Sequence, residues 1–335
     1  MTDSYDFDLP PGRIAHTPAR PRDAARLLHV SNTLTGHTVS DLPTLLRTGD
    51  VLAVNDTRVI PAQFQARRGN ASIGLTLDQP GPPGPMGGTW HALARNARRL
   101  RPGDVLDIEG PHNLHAEILA RHEDGTITLR FDKDPAQAGA LALPPYIDRP
   151  NGPTPEDQSD YQTIFAQNPG AVAAPTAALH FTPALLKALD EANIPRIPLT
   201  LHVGAGTFLP VRDVATHQMH PERGILTLEA AHHLNTAKRI VAVGTTALRL
   251  LESATDPQGR IHPYDGSTSL FIQPGHHFRT AAALLTNFHL PRSTLFMLVC
   301  AFAGTQRMQS AYAHAITSGY RFYSYGDSSL LERQS

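Results

Sequence analysis

An amide, an imidazole and three hydroxyls fall close together at residues 286–294. A short apolar run, 284–287, ends in Thr286 and Asn287, with His289 just beyond. Pro291 then breaks the backbone, and Ser293 or Thr294 can cap the apolar stretch 295–303 as a helix. A strand-to-helix junction of this kind adds outward-facing backbone N–H groups to its side chains and so suits a polar ligand. Three further junctions share the character. At 201–208 a strand runs into Gly204-Ala205-Gly206 and Thr207, where glycines let the backbone approach a ligand closely and His202 is within reach. At 241–252 a strand enters Gly244, and Thr245 or Thr246 caps a helix whose first N–H groups suit a carboxylate or phosphate, with Arg249 one turn on. At 170–182 small residues dominate, and His180 stands beside Thr182, which is placed to cap the next helix.

Each feature has a plainer reading beside it. The Gly204 turn could be a dinucleotide phosphate loop with Glu222 as ribose ligand, but such a turn must open a helix, and Pro210 and Pro221 deny one. His217, His220 and Glu222 could suggest a metal site, yet two histidines on one helix face need a spacing of four, so no metal is expected. The threonines at 245 and 246 are equally explained by capping alone, and His180 by packing. Arg95, Arg98, Arg99 and Arg101 make either a phosphate-binding patch or a solvated turn before Pro102 and Gly103. Residues 320–327 interleave aromatic side chains with Arg321, a mix that stacks bases and pairs phosphates but also describes a buried strand.

The elements that must position these groups follow from periodicity. Strands are expected at 26–30, 51–54, 198–203, 240–243 and 284–287, and helices at 41–46, 183–193, 230–239, 247–254, from 295, and at 309–318. Strands alternating with helices argue for an α/β domain with a mostly parallel sheet. Between about 65 and 131 the pattern changes to short alternating segments at 72–77, 89–94, 105–108, 114–120 and 126–131, separated by Gly, Pro and Asp. That spacing predicts a small antiparallel β-barrel or sandwich inserted into the α/β domain. The expected division is 1–64 with 136–335 for the α/β domain, and 65–135 for the barrel. The Pro- and Gly-rich stretch 78–88 reads as a loop joining two strands.

At 335 residues, 41% hydrophobic and 18% charged, the chain has the composition of a soluble globular protein that can bury a real core. Its longest apolar run is too short to span a membrane, and its N-terminus is acidic and lacks a signal region, so a cytoplasmic protein is expected. The single cysteine, Cys300, excludes internal disulfides and cysteine-ligated clusters and reads as a core residue. A net charge of −1 gives no global basic field. Lysine occurs only at Lys133, Lys187 and Lys238, so nearly all cations are arginine, the better bidentate phosphate ligand.

Together these residues resemble the S-adenosylmethionine:tRNA ribosyltransferase-isomerases of queuosine synthesis. The resemblance covers nearly the whole chain, through 5–10, 55–62, 143–147, 161–163, 170–181, 200–208, Met219 and His220 with Glu222, 242–253, 286–294 and 320–327. It departs at Gly74, near a position where the family carries glutamate, at Ala178 in place of a glycine, and in an expanded 78–88 loop. The resemblance implies an α/β domain carrying an inserted β-barrel. It also implies S-adenosylmethionine as ribosyl donor and co-substrate, and, as acceptor, 7-aminomethyl-7-deazaguanine already placed at a tRNA wobble position. The products implied are epoxyqueuosine in the tRNA, adenine and methionine.

That chemistry needs a base to free the aminomethyl lone pair, removal of a proton beside the sulfonium, and a proton for departing adenine. His180, His202, His289, Glu222 and Asp327 are the candidate catalytic groups, with His220 in the same pool, and individual roles stay open. Gly204, Gly206, Thr207, Thr245, Thr246 and Asn287 are the candidate donor-binding residues. Arg58, Arg98, Arg99 and Arg321 are the candidates for tRNA. Neither a metal nor a membrane is expected, and the oligomeric state is not fixed by the sequence. Two rivals remain: a methyltransferase, which would need a glycine turn opening a helix, and a non-catalytic RNA-binding protein, which would not need several titratable groups in separate motifs.

Overall fold

The computed structural model describes residues 5–81, 88–123, 125–208 and 219–334, with Thr207 and Phe208 described by their backbone alone. His217, Pro210 and most of the 78–88 loop lie outside the described residues. The main body is built on a nine-stranded sheet. Its strands are β1 (Arg26–Val30), β2 (Leu34–Thr38), β3 (Asp50–Asn55), β12 (Arg196–Leu201), β13 (Glu222–Leu226), β14 (Arg239–Val243), β15 (Tyr264–Thr268), β16 (Ala283–Asn287) and β17 (Ser328–Glu332). The order across the sheet is β15-β13-β12-β3-β14-β16-β17-β1-β2. A short pair, β4 (Thr57–Val59) with β11 (Asn168–Ala171), lies beyond the end of β3.

The sheet is mixed rather than mostly parallel. β12, β3, β14 and β16 form a parallel centre, and β17 is parallel to β1. The flanking ladders β12–β13, β13–β15, β16–β17 and β1–β2 are antiparallel. The parallel centre was legible because strands covered on both faces are continuous apolar runs: every residue of β3 and β16 is buried. β15, with sequence Tyr264-Asp265-Gly266-Ser267-Thr268, carries no such run and was missed, as was the returning strand β17.

Helices cover both faces. Alternate residues of β3 feed two cores. Val51 and Ala53 join one with Leu234, Leu248, Leu251 and Phe302; Leu52 and Val54 join the other with Leu185, Leu189 and Phe181. The helices are α1 (Leu42–Leu45), α2 (Pro155–Asp160), α3 (Pro183–Glu191), α4 (Leu228–Thr236), α5 (Thr245–Ser253), α6 (Thr294–Ala303) and α7 (Thr305–Thr317). Side-chain caps set several starts: Thr182 accepts from Leu185 N at 3.1 Å, Thr227 from Ala230 N at 3.1 Å, and Ser293 from Phe296 N at 3.1 Å. The Thr227 cap places α4 two residues earlier than the apolar pattern alone suggests. Among the described residues no helix is long and apolar enough to cross a membrane.

The inserted unit is a closed six-stranded antiparallel barrel. Its strands are β5 (Gln63–Arg68), β6 (Ala71–Pro80), β7 (Thr89–Arg95), β8 (Val105–Ile108), β9 (Leu114–Arg121) and β10 (Thr126–Phe131). Alternation interrupted by two bulges fills it: Phe64, Ile73, Leu75, Leu77, Leu106, Ile118, Leu129 and Phe131 form a separate core. Val172 and Ala205 of the main body belong to that core too, so the barrel is seated against the 201–208 junction.

Candidate active site

β12, β3, β14 and β16 lie side by side and run the same way, so their carboxyl ends share one edge of the sheet. At about 4.8 Å per strand the four ends span about 15 Å. Three of the expected junctions, at 201–208, 244–246 and 287–289, are therefore neighbours. The fourth end belongs to Asn55, which is wholly buried. Its side chain continues the β3–β12 ladder: Oδ1 accepts from Leu201 N at 3.0 Å and Thr57 N at 3.1 Å, and Nδ2 donates to Leu201 O at 2.9 Å. Nδ2 also reaches Thr246 Oγ1 at 3.4 Å, tying the start of α5 to the same edge. Thr245 and Thr246 do not cap α5. Gly244, with φ +89°, is the cap residue, and the first turn has no side-chain cap.

His202 sits at the tip of β12. Its Nδ1 is 2.7 Å from Thr57 Oγ1, whose hydroxyl also lies 3.4 Å from the Asn168 carbonyl. Gly170 makes room for the ring, since a Cβ there would come within 2.8 Å of Nδ1 and Cε1. Burial lowers the imidazole pKa from its ordinary value, partly offset by the Asp56 charge, while Arg223 lowers it further. Asp56 is itself buried and held by neutral donors: Thr200 Oγ1 at 2.6 Å and Asn168 Nδ2 at 3.0 Å.

The glycine loop follows directly and opens only a short 3-10 turn, Ala205–Phe208. Its backbone is held by two carboxylates. Glu222 Oε1 accepts from Gly204 N at 3.4 Å, and Asp78 Oδ1, from the barrel, accepts from Gly206 N at 3.2 Å. Gly206 also permits His220 to pack closely, as a Cβ would lie 2.8 Å from the ring. Glu222 is paired with Arg249 in a buried contact between β13 and α5. Arg249 donates further to Leu270 O at 2.9 Å.

The other half of the edge is built around Asn287. Its Oδ1 accepts from Thr176 Oγ1 at 2.9 Å, and its Nδ2 donates to His180 Nε2 at 3.2 Å. His180 is buried, and its pKa falls to about 3 through desolvation, aided by the Arg22 guanidinium and opposed by a hydrogen bond to the Arg22 backbone. It is a neutral imidazole that fixes Asn287. His289 Nε2 lies 3.0 Å from Thr286 Oγ1, and its backbone N–H donates to Tyr312 Oη at 2.9 Å. Desolvation lowers its pKa to about 3 as well. Gly244 closes the gap between the two halves, because the Cβ of Ala177, inside the 3-10 turn Thr176–His180, lies 3.5 Å from where its own Cβ would stand.

Several candidates lie outside this cluster. Asp327 is buried, with Oδ1 accepting from Arg26 N at 3.0 Å and Oδ2 from Arg321 N at 2.7 Å, so it closes the 321–327 turn. Arg321 is tied to the Thr17 carbonyl at 3.2 Å and lies 3.8 Å from Asp327. Tyr320, Phe322 and Tyr325 are buried core residues, and Tyr323 stacks on Tyr146 with ring centres 4.4 Å apart. The aromatic run is thus a packed turn, neither a strand nor an open stacking platform. Arg58 is exposed and donates to Ala166 O at 3.2 Å. Arg98 and Arg99 are exposed on a 3-10 turn of the barrel, and among the described residues neither they nor Arg95, Arg101 or Arg121 is ion-paired. Among the described residues no group of three or more His, Cys, Asp or Glu is arranged to hold a metal ion. Sequence reasoning named neither Asn55, Asp56 and Thr57 as site residues nor Asp78. The first three stood inside a distinctive string that could have flagged them.

A sheet whose parallel strand ends gather neutral histidines, an amide and a glycine loop, with a barrel packed on that loop, defines a ligand-binding α/β enzyme with an appended β module. Comparison with known proteins narrows this class. Residues 2–331 match the family described as queuosine biosynthesis protein, and the chain belongs to that family. It is 61% identical over 351 residues to the S-adenosylmethionine:tRNA ribosyltransferase-isomerase of Gluconacetobacter diazotrophicus, covering 99% of this chain and 98% of that one. It is 55% identical to the protein of the same name from Acidiphilium cryptum, covering 98% of each. Among solved structures it resembles the S-adenosylmethionine tRNA ribosyltransferase of Thermotoga maritima, with a TM-score of 0.55, 33% identity, and coverage of 98% and 99% of the two chains.

Proposed function

We propose that this chain transfers and isomerises the ribosyl moiety of S-adenosylmethionine onto 7-aminomethyl-7-deazaguanine at the wobble position of a tRNA. Epoxyqueuosine would be left in the tRNA, with adenine and methionine released. Membership of the family and high identity to whole-length ribosyltransferase-isomerases support the reading. The observation that carries it is the shared edge, on which His202, the glycine loop, Thr246 and Asn287 meet within the span of four strands.

In this reading His202 is the base. With Nδ1–H donating to Thr57, and the Thr57 hydroxyl turned to the Asn168 carbonyl, Nε2 presents its lone pair outward. Its depressed pKa keeps that lone pair available at neutral pH. Thr176 and His180 orient Asn287, which with Gly204, Gly206, Thr207, Thr245 and Thr246 binds the donor. His289 is a second neutral imidazole at the edge, hydrogen-bonded to Thr286. Glu222 is read as holding the loop through Gly204 and Arg249 rather than as a free base. Asp327 is read as a turn-closing residue. Arg98 and Arg99 contact tRNA phosphates, with Arg58 and Arg321 as further contacts. The sulfonium is an activated leaving group, so the chemistry asks for no metal. The barrel, expected from 65, takes in the whole of β5 from Gln63 and runs to 135, the rest of the chain is the donor-binding unit, and the protein works in the cytoplasm with its tRNA.

The test is the mass of substrate tRNA after reaction, with chromatography of the small molecules. Gain of the epoxycyclopentanediol group with free adenine and methionine is expected. A methyl gain with S-adenosylhomocysteine, or no change at all, would overturn the proposal.

A further inference from the structure

The barrel reaches the catalytic edge through one carboxylate. Along β6, alternation sends Ile73, Leu75 and Leu77 into the barrel core, so Asp78 should face outward, yet it is only 5% exposed. The ladder to β7 slips at this point. Leu77 pairs with Ala92 and Gln79 with His91, leaving Asp78 as an extra residue. A bulge of this kind bends the strand and re-aims a side chain.

Here it aims at the glycine loop. Asp78 Oδ1 accepts from Gly206 N at 3.2 Å, and a Cβ on Gly204 would lie 2.4 Å from that oxygen and 2.8 Å from Gln79 Nε2. Glycine at 204 is thus required by the approach of the barrel. Glu222 holds the same loop from the main body, and its charge is matched by Arg249. Asp78 has no ion-pair partner among the described residues. A buried carboxylate with no such match among the described residues is costly. The loop it holds accounts for the charged acceptor.

We propose that Asp78 is a positioning residue for the transfer reaction. It fixes Gly206, and through Gly206 the packing of His220 and the backbone two to four residues after His202, so that the barrel sets the geometry of the donor-binding loop. This rests on the ribosyl-transfer reading above. Asp78→Ala should lower kcat on the order of tenfold to a hundredfold, the scale of a misplaced reacting geometry, and raise KM for the donor. Asp78→Asn keeps an oxygen acceptor for Gly206 N and should recover most of the loss. Gly204→Ala, which displaces Asp78 sterically, should slow turnover as Asp78→Ala does.

Amide hydrogen exchange across 203–208 in the full-length protein without substrates should quicken in Asp78→Ala and return in Asp78→Asn. Unchanged exchange and turnover in Asp78→Ala, or an Asp78→Asn as impaired as the alanine, would each overturn the proposal. The exchange measurement decides whether Asp78 grips the loop even if the wild-type protein forms no epoxyqueuosine, so failure of that reading is seen separately.

Discussion

At the scale of single residues, the site depends on imidazoles kept neutral. His202→Gln removes the lone pair facing the ligand while leaving a polar group beside Thr57. Turnover should fall about a hundredfold or more, the scale of a lost general base, with little change in melting temperature. His180 and His289 carry a stability consequence. Their pKa values of about 3 lie far below the ordinary 6.5. Below pH 6.5 the unfolded chain therefore binds protons that the folded chain refuses, and stability falls as pH drops from 6.5 toward 3. At pH 5 each would cost roughly 2 kcal/mol. Denaturant unfolding at pH 7 and pH 5 should show the loss, and His180→Gln, which still offers Asn287 an acceptor, should shrink it. Equal pH sensitivity in that variant would mean His180 titrates normally.

At the scale of elements, the Glu222–Arg249 pair joins β13 to α5 under the glycine loop, with both side chains 4% exposed. Removing one partner strands a buried charge, so Arg249→Met should destabilise the fold by about 3 to 5 kcal/mol. Replacing both, Glu222→Gln with Arg249→Met, should cost less than the single change, and an additive double variant would show that the two charges do not interact. On the barrel, Arg98→Ala with Arg99→Ala should weaken tRNA binding and flatten the slope of log K against log salt by about 2, one unit per lost phosphate contact. An unaltered slope would make them merely solvated. What the sequence showed at this scale follows burial. β3, β14 and β16 were legible as apolar runs, and five of the six barrel strands as alternating segments; β5, Gln63–Arg68, was missed. β15 was illegible because after Tyr264 its residues are small or polar. Asp78 was hidden because a bulge breaks the alternation that would have located it, and its partner Gly206 lies 128 residues away. His180, His202 and His289 were legible as candidates, but their tuning depends on burial and, for the first two, on Arg22 and Asp56, which only the fold brings near.

At the scale of the whole molecule, two units share one loop. Residues 204–206 take one carboxylate from the main body and one from the barrel, and Ala205 packs in the barrel core. The net charge of −1 offers tRNA no long-range field, so attraction rests on local clusters of cations, and the barrel gathers five arginines, Arg95, Arg98, Arg99, Arg101 and Arg121, with no acidic partner among the described residues. Occupancy of the barrel and order in the donor loop should therefore be linked. The binding energy of the correct tRNA would be used to complete the site, as in induced fit. Adenine and methionine should appear only in the presence of modified tRNA, with release from the donor alone on the order of a hundredfold slower or less. Chromatography of the donor incubated with protein, with and without the RNA, measures this directly. Donor breakdown at the full rate without RNA would mean that the main body is complete by itself and the barrel only tethers the tRNA.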